Sequence, residues 1–232
     1  LEGFLAKPIH SLAKGARVVS FEDTPGLILR PFRSGIEWQK LDSESENDQG
    51  HLKKHEIHRL PGNDPHIWLD PLNAQKITQY LVRILSEVNP ENAKIYHNNG
   101  KKAILRLSNL NIQLETKMSS VSSKSFIVFH DAYQYFEKRY QLNSIASVTG
   151  SSGHSTSVFR LKDIRKLIKN KNVLCIFTEP QFSPKLVQTV ISGTAVKKGI
   201  LDPIGTSIPP GPEMYFTLLN NISHSISTCF KK

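Results

Sequence analysis

The fold of this chain is decided by residues 126–148, which read FIVFHDAYQYFEKRYQLNSIASV. Residues 126–129 are two aromatic and two β-branched side chains in succession, which is the composition of a buried strand. Apolar side chains follow at helical spacing over residues 131–140, and a second short, mostly apolar run covers residues 145–148. The stretch therefore predicts a strand, a helix and another strand joined by short connections.

The same alternation continues from this stretch to the end of the chain. We predict helices over residues 157–170, 183–192 and 211–230, with strands over residues 173–177 and 196–201. Strands that alternate with helices across short connections are typical of an α/β fold with a mainly parallel sheet.

Upstream of residue 126 the pattern is helical. Pro71 opens an apolar stripe that runs to residue 88, and Asn89-Pro90-Glu91 then combines a capping Asn, a first-position Pro and a first-turn acid. The next helix, predicted over residues 90–119, has one weak point at Gly100. A helix of this length would span about 45 Å, so it suits a strut between two lobes.

The N-terminal part carries weaker signals. We predict a helix over residues 1–10, a short strand over residues 15–20 and a mobile polar loop over residues 37–64. The chain opens inside a helical pattern with neither Met nor a signal peptide, so we expect a mature or N-terminally truncated product.

Composition argues against several classes of protein. The 232 residues are 22% charged, which is normal for a globular protein, and they contain no run of about 18 apolar residues. The net charge is +10, but Lys and Arg are spread along the chain without a nucleic-acid-binding motif. Gly150-Ser-Ser-Gly153 before His154 is one residue short of a nucleophile elbow. We therefore expect neither an enzyme nor a nucleic-acid-binding protein.

Four side chains have the chemistry and the placement of metal ligands. His130, Glu179 and Asp202 lie at or next to the carboxyl ends of predicted strands, where α/β sheets bind ligands, and His66 begins a helix in the other lobe. Imidazole and carboxylate groups are zinc ligands. Each residue also fits a structural role, as a hydrogen-bonded His, a turn-capping Asp or an ion-paired Glu, and both interpretations stay open at this point.

Further histidines lie in the polar loop, and they allow either weak metal capture or no more than a solvated loop. They are His51, His55 and His58. The two cysteines, Cys175 and Cys229, fit either a disulfide or two buried free thiols.

Four short motifs follow one another along the chain: Asp64-Pro-His-Ile-Trp-Leu-Asp-Pro71, Phe129-His-Asp-Ala-Tyr-Gln-Tyr-Phe136, Thr178-Glu-Pro-Gln-Phe182 and Leu201-Asp-Pro-Ile-Gly-Thr206. In this order and spacing they resemble the zinc-uptake periplasmic solute-binding proteins of bacterial ABC importers. The resemblance covers most of the chain and is weakest in the loop.

The resemblance implies an α/β fold of two Rossmann-like lobes joined by a long rigid helix, with the metal in the cleft between them. Residues 1–89 would be the remainder of an incomplete N-terminal lobe that includes the loop at 37–64. Residues 90–119 would be the linking helix, and residues 120–232 the C-terminal α/β lobe. The absent N-terminal part would supply a further His ligand.

The resemblance also implies a ligand set. His66 and His130 would bind the metal, and Asp202 would be a ligand or a near-ligand. Manganese-type relatives tend to have Glu where His130 stands, so Zn²⁺ is expected rather than Mn²⁺. Cys175 and Cys229 fall where zinc-type relatives carry a disulfide.

The implied function is that of a periplasmic, monomeric receptor that captures zinc reversibly and delivers it to the membrane permease of an ABC importer. Two alternatives are a manganese receptor of the same fold and a truncated product with impaired metal binding. Residues 150–157 differ from the usual family loop, and His154 within them is a further candidate ligand.

Overall fold

The computed structural model describes residues 5–33, 38, 62–149 and 157–231. The helices within these residues are α1 (Ala6–Leu12), α2 (Pro71–Val88), α3 (Ala93–Ser119), α4 (Gln134–Arg139), α5 (Val158–Asn170), α6 (Lys185–Ile191) and α7 (Met214–Cys229). The strands are β1 (Phe126–Val128), β2 (Ser144–Ser147), β3 (Cys175–Thr178) and β4 (Lys197–Ile200). Short 3₁₀ turns cover Phe21–Asp23, Ile67–Leu69 and Pro90–Asn92.

Most of the predicted elements are confirmed, and the largest difference lies near the N-terminus. The strand predicted over residues 15–20 is wrong, because residues 16–20 have no regular structure and Val18 is 63% exposed. No described segment pairs with these residues, and an apolar pattern without a neighbouring strand does not make a sheet. The predicted loop lies outside the described residues except for residues 38 and 62–64.

The two long helices α2 and α3 form a helical hairpin, and side chains cap the start of α2 and the start of the 3₁₀ turn that precedes α3. The Asp70 carboxylate accepts a hydrogen bond from the Leu72 amide (2.9 Å), and Pro71 is the first residue of α2. The Asn89 side chain accepts from the Asn92 amide (3.3 Å). A 3₁₀ turn follows Asn89, so α3 begins three residues later than predicted and has 27 residues, or about 40 Å. No helix in the described parts of the chain is both long and apolar enough to cross a membrane.

Gly100 lets α2 and α3 approach each other closely. It is buried on α3, and a Cβ atom at this position would overlap the Val82 side chain of α2. Gly100, the weak point of the predicted long helix, is therefore needed for close packing of α3 against α2.

We expect the substitution Gly100→Ala to lower the free energy of unfolding by about 1–2 kcal/mol, because the overlap outweighs the better helix propensity of Ala. Chemical denaturation measures this change. The double substitution Gly100→Ala/Val82→Ala provides the control, since it removes the overlapping methyl groups and should recover part of the loss. A single variant as stable as the wild type would contradict the packing role.

The sheet in the second half of the chain is parallel. Its strand order is β2-β1-β3-β4, and each pair of neighbours is parallel. Helices α4, α5 and α6 lie in the connections between successive strands. This arrangement confirms the predicted α/β fold class.

Each face of the sheet is covered by its own apolar core. Phe126 and Val128 pack in one core with residues of α3, α4 and α7, whereas Ile127 and Phe129 pack in the other core with residues of α5 and α6. Consecutive side chains of β1 thus alternate between the layers, as the pleat of a strand requires. The carboxyl ends of the strands all emerge at one edge, where the candidate site lies.

A disulfide joins Cys175 to Cys229, linking β3 to the last residue of α7. Both cysteines belong to the core on the α7 face. The disulfide that the resemblance implied is therefore present.

Candidate metal centre

The turn that carries His66 is fixed by its own sequence. The Asp64 carboxylate accepts a hydrogen bond from the His66 amide (3.0 Å), and its same oxygen lies 2.6 Å from His66 Nδ1. Pro65 stands between the two residues and restricts the backbone there. Asp64 and His66 are both buried, so the imidazole is held in one orientation.

His130 is held in the same manner by a different carboxylate. It lies two residues beyond the end of β1, and Glu179 follows directly after the neighbouring strand β3. Both oxygens of Glu179 lie 2.8 Å from His130 Nδ1. The Glu179 side chain is only 1% exposed, so the parallel register of β1 and β3 has placed a buried carboxylate behind the imidazole.

The two imidazoles meet although their residues belong to different parts of the chain. The ring centroids of His66 and His130 are 5.4 Å apart. Trp68, Tyr133 and Phe182 place aromatic rings around the pair. In both histidines Nδ1 faces a carboxylate, so Nε2 is the nitrogen left to bind a metal.

Asp202 follows β4 at the same edge of the sheet, but its oxygens are occupied. One oxygen accepts from Gln181 (2.7 Å) and from the amides of Ile204 and Gly205, and the other accepts from the amide and hydroxyl of Thr206 (2.6 and 2.7 Å). Partial burial alone would raise the pKa of Asp202, but these hydrogen bonds outweigh it and lower that pKa. Asp202 thus stands as an ionised carboxylate that organises the turn.

The structure brings His66 and His130 together and leaves Asp202 engaged in its own turn. Among the described residues, no three side chains of His, Cys, Asp or Glu are arranged as they would need to be to hold a metal ion. Glu179, a candidate ligand in the sequence, is the partner of His130. The candidates His51, His55, His58 and His154 lie outside the described residues.

Two further residues at this site were not assigned a role from the sequence. Asp64 orients His66, and the signal that could have identified it is a carboxylate two residues before a His with Pro between them. Tyr133 is the other residue, and it lies beside His130. Burial, reinforced by the neighbouring Glu179 carboxylate, raises the pKa of Tyr133 well above its usual range, so its hydroxyl stays protonated.

The profile of the family described as ZnuA, zinc-uptake complex component A, periplasmic, matches residues 1–229. The chain belongs to the ZnuA family. Its relatives include the high-affinity zinc uptake system protein ZnuA of Brucella suis biovar 1, which is 36% identical over 249 residues covering 100% of this chain and 75% of the relative. The protein of that name from Yersinia pestis is 28% identical and covers 100% of this chain and 73% of the relative.

Solved structures share the fold. The crystal structure of a ZnuA matches with a TM-score of 0.76 at 22% identity, covering 99% of this chain and 76% of that one. The laminin-binding protein Lbp of Streptococcus pyogenes matches with a TM-score of 0.65 at 28% identity, covering 73% of this chain. The matched region spans 65% of that protein. ZnuA-type solute-binding proteins have two lobes joined by a long helix, which agrees with the predicted fold class.

Proposed function

We propose that this chain is an extracytoplasmic zinc receptor that delivers the ion to the membrane permease of an ABC importer. The observation that carries the proposal is the pair of imidazoles, His66 and His130, each held at Nδ1 by a buried carboxylate. Carboxylate–imidazole pairs of this kind orient zinc ligands and raise their basicity. Membership of the ZnuA family and the zinc-uptake names of its relatives support the same function.

In this proposal zinc is cargo, and His66 and His130 bind it through their Nε2 atoms. Asp202 supplies the negative charge that the divalent ion requires, as a third ligand or as a close neighbour. To bind directly, a carboxylate oxygen of Asp202 must exchange its hydrogen bonds from Gln181 or Thr206 for the metal. That exchange would lower the net gain on binding, which suits a receptor that must release its ion.

The lobes of this receptor are proposed to divide the chain as the sequence suggested. Residues 1–89 belong to the first lobe, residues 90–119 to the linking helix that contains α3, and residues 120–232 to the second lobe. We also propose that the receptor acts as a monomer. The disulfide supports an extracytoplasmic location, because disulfides persist in oxidising compartments such as the periplasm.

Calorimetric titration of the chelator-stripped protein with Zn²⁺ and then Mn²⁺ tests this function. We expect one-to-one zinc binding and much weaker manganese binding, because two imidazoles favour zinc and the affinity series of divalent ions places Mn²⁺ lowest. Absence of zinc binding, or a preference for Mn²⁺, would contradict the proposal.

A further inference from the structure

The hydroxyl of Tyr135 connects helix α4 to the turn that carries His66. It donates a hydrogen bond to the Asp64 carbonyl oxygen (2.8 Å) and accepts one from the Arg30 amide (3.0 Å). The Asp64 amide in turn donates to the Arg30 carbonyl oxygen (2.7 Å). One hydroxyl thus completes a closed ring of three hydrogen bonds among residues that are far apart in the sequence.

This ring leads directly to the metal-binding pair. Asp64, whose backbone Tyr135 holds, is the residue whose carboxylate orients His66. Tyr135 lies five residues after His130, so one short segment carries one histidine and anchors the other. Tyr135 is fully buried, and burial raises its pKa to about 12, so the hydroxyl remains a donor at neutral pH.

A second contact from α4 holds the other side of the same turn. Arg139, at the end of α4, makes two hydrogen bonds to the Asp70 carboxylate (2.8 and 2.7 Å). Asp70 is the N-cap of α2 and lies four residues after His66. Helix α4 therefore contacts the His66 segment both before and after the histidine.

We propose that Tyr135 is a positioning residue for the metal, because its hydroxyl fixes the Asp64–His66 pair relative to His130 and so sets the separation of the two imidazoles. This inference rests on the proposed function for its effect on zinc. The positional coupling itself is a property of the metal-free protein and can be tested separately.

The test compares Tyr135→Phe with the matched control Tyr140→Phe. Both substitutions remove one buried hydroxyl and keep the ring, but the Tyr140 hydroxyl bonds to Asn111 of α3 (3.1 Å) and not to the His66 turn. Zinc affinity is measured by competition with a chelating dye. In the metal-free proteins, long-range proton–nitrogen NMR correlations report the His66 ring, which is assigned with a His66→Ala variant.

We expect Tyr135→Phe to shift the His66 ring resonances and to weaken zinc binding about tenfold, the lower end of the range for residues that orient metal ligands. Tyr140→Phe should leave both unchanged even if it lowers the melting temperature equally. If the His66 ring resonances of Tyr135→Phe are the same as in the wild type, the inference is overturned. It is also overturned if Tyr140→Phe loses as much zinc affinity as Tyr135→Phe. A wild-type protein that binds no zinc would overturn the proposed function instead, and the NMR comparison would still decide the coupling.

Discussion

The substitution His130→Ala is expected to weaken zinc binding by about 100-fold or more. Structural zinc sites contribute roughly 10–16 kcal/mol through about four ligands, so one ligand accounts for about 3 kcal/mol, and each 1.4 kcal/mol is a factor of ten. The substitution also leaves Glu179 without its imidazole partner although its side chain is only 1% exposed. Both effects act on the metal site itself.

Competition titrations with a chelating dye measure this loss, with His224→Ala as the control. His224 is an exposed residue on α7, and its ring nitrogen Nε2 lies 3.4 Å from the hydroxyl of Thr228 on the same helix, so its removal should change affinity less than twofold. Thermal unfolding confirms that both variants fold. If His130→Ala binds zinc as tightly as the control, His130 is not a ligand.

The substitution Glu179→Gln separates the loss of a ligand from the loss of its orientation. Gln keeps the shape of the side chain and can still accept a hydrogen bond from His130 Nδ1, but it lacks the negative charge. The expected loss of affinity is about 10-fold to 100-fold, as for other carboxylates behind metal-bound histidines. If the loss of zinc affinity in Glu179→Gln is smaller than in His130→Ala and larger than in His224→Ala, Glu179 acts by orienting His130 and is not itself a ligand.

The architecture of the second half was predictable because its signals are local. The apolar runs that became β1 and β3 are short and bounded by polar residues, and their cores lie on both faces of a parallel sheet. The strand predicted over residues 15–20 had a similar local pattern, but a strand also needs a neighbour, and none of the described segments supplies one. Whether a strand finds a partner depends on the whole fold, so it cannot be predicted from the sequence of one segment.

The candidate site was predictable in its position and only partly in its contacts. The strand-end rule placed His130, Glu179 and Asp202 at one edge of the sheet, where they lie. The rule could not assign Glu179 to His130, because that pairing depends on the register of β1 against β3. It also could not show that Gln181 and Thr206 donate hydrogen bonds to the carboxylate oxygens of Asp202 that a metal would need, since these contacts depend on the positions of single atoms.

The Cys175–Cys229 disulfide is expected to contribute a large share of the free energy of unfolding. Its cysteines are 54 residues apart, and closing a loop of this length stabilises the folded state by about 4 kcal/mol in the chain-entropy model. Globular proteins are stable by only about 5–15 kcal/mol, so its removal would take a large fraction of the total. The double variant Cys175→Ala/Cys229→Ala should therefore unfold at a much lower denaturant concentration.

Alanine is the appropriate replacement because Cys175 is fully buried and Cys229 is 8% exposed, so serine would add the cost of burying a hydroxyl. Guanidinium unfolding is followed for the wild type and the double variant, each with and without a thiol reductant. Reductant should lower the stability of the wild type toward that of the variant and leave the variant unchanged. Equal guanidinium unfolding midpoints for the oxidised wild type and the double variant would show that the disulfide does not stabilise the folded state.

Zinc affinity of the folded double variant should match that of the wild type. Cys175 begins β3, whereas Glu179 follows its other end, so the disulfide and the metal pair lie at opposite ends of one strand. Loss of the disulfide raises the fraction of unfolded chains, but it changes no contact of His66 or His130. Zinc affinity is therefore measured at a temperature well below the unfolding transition of the double variant. Unchanged affinity, which we expect, would mean that the disulfide stabilises the lobe, whereas lower affinity would mean that it also shapes the metal site.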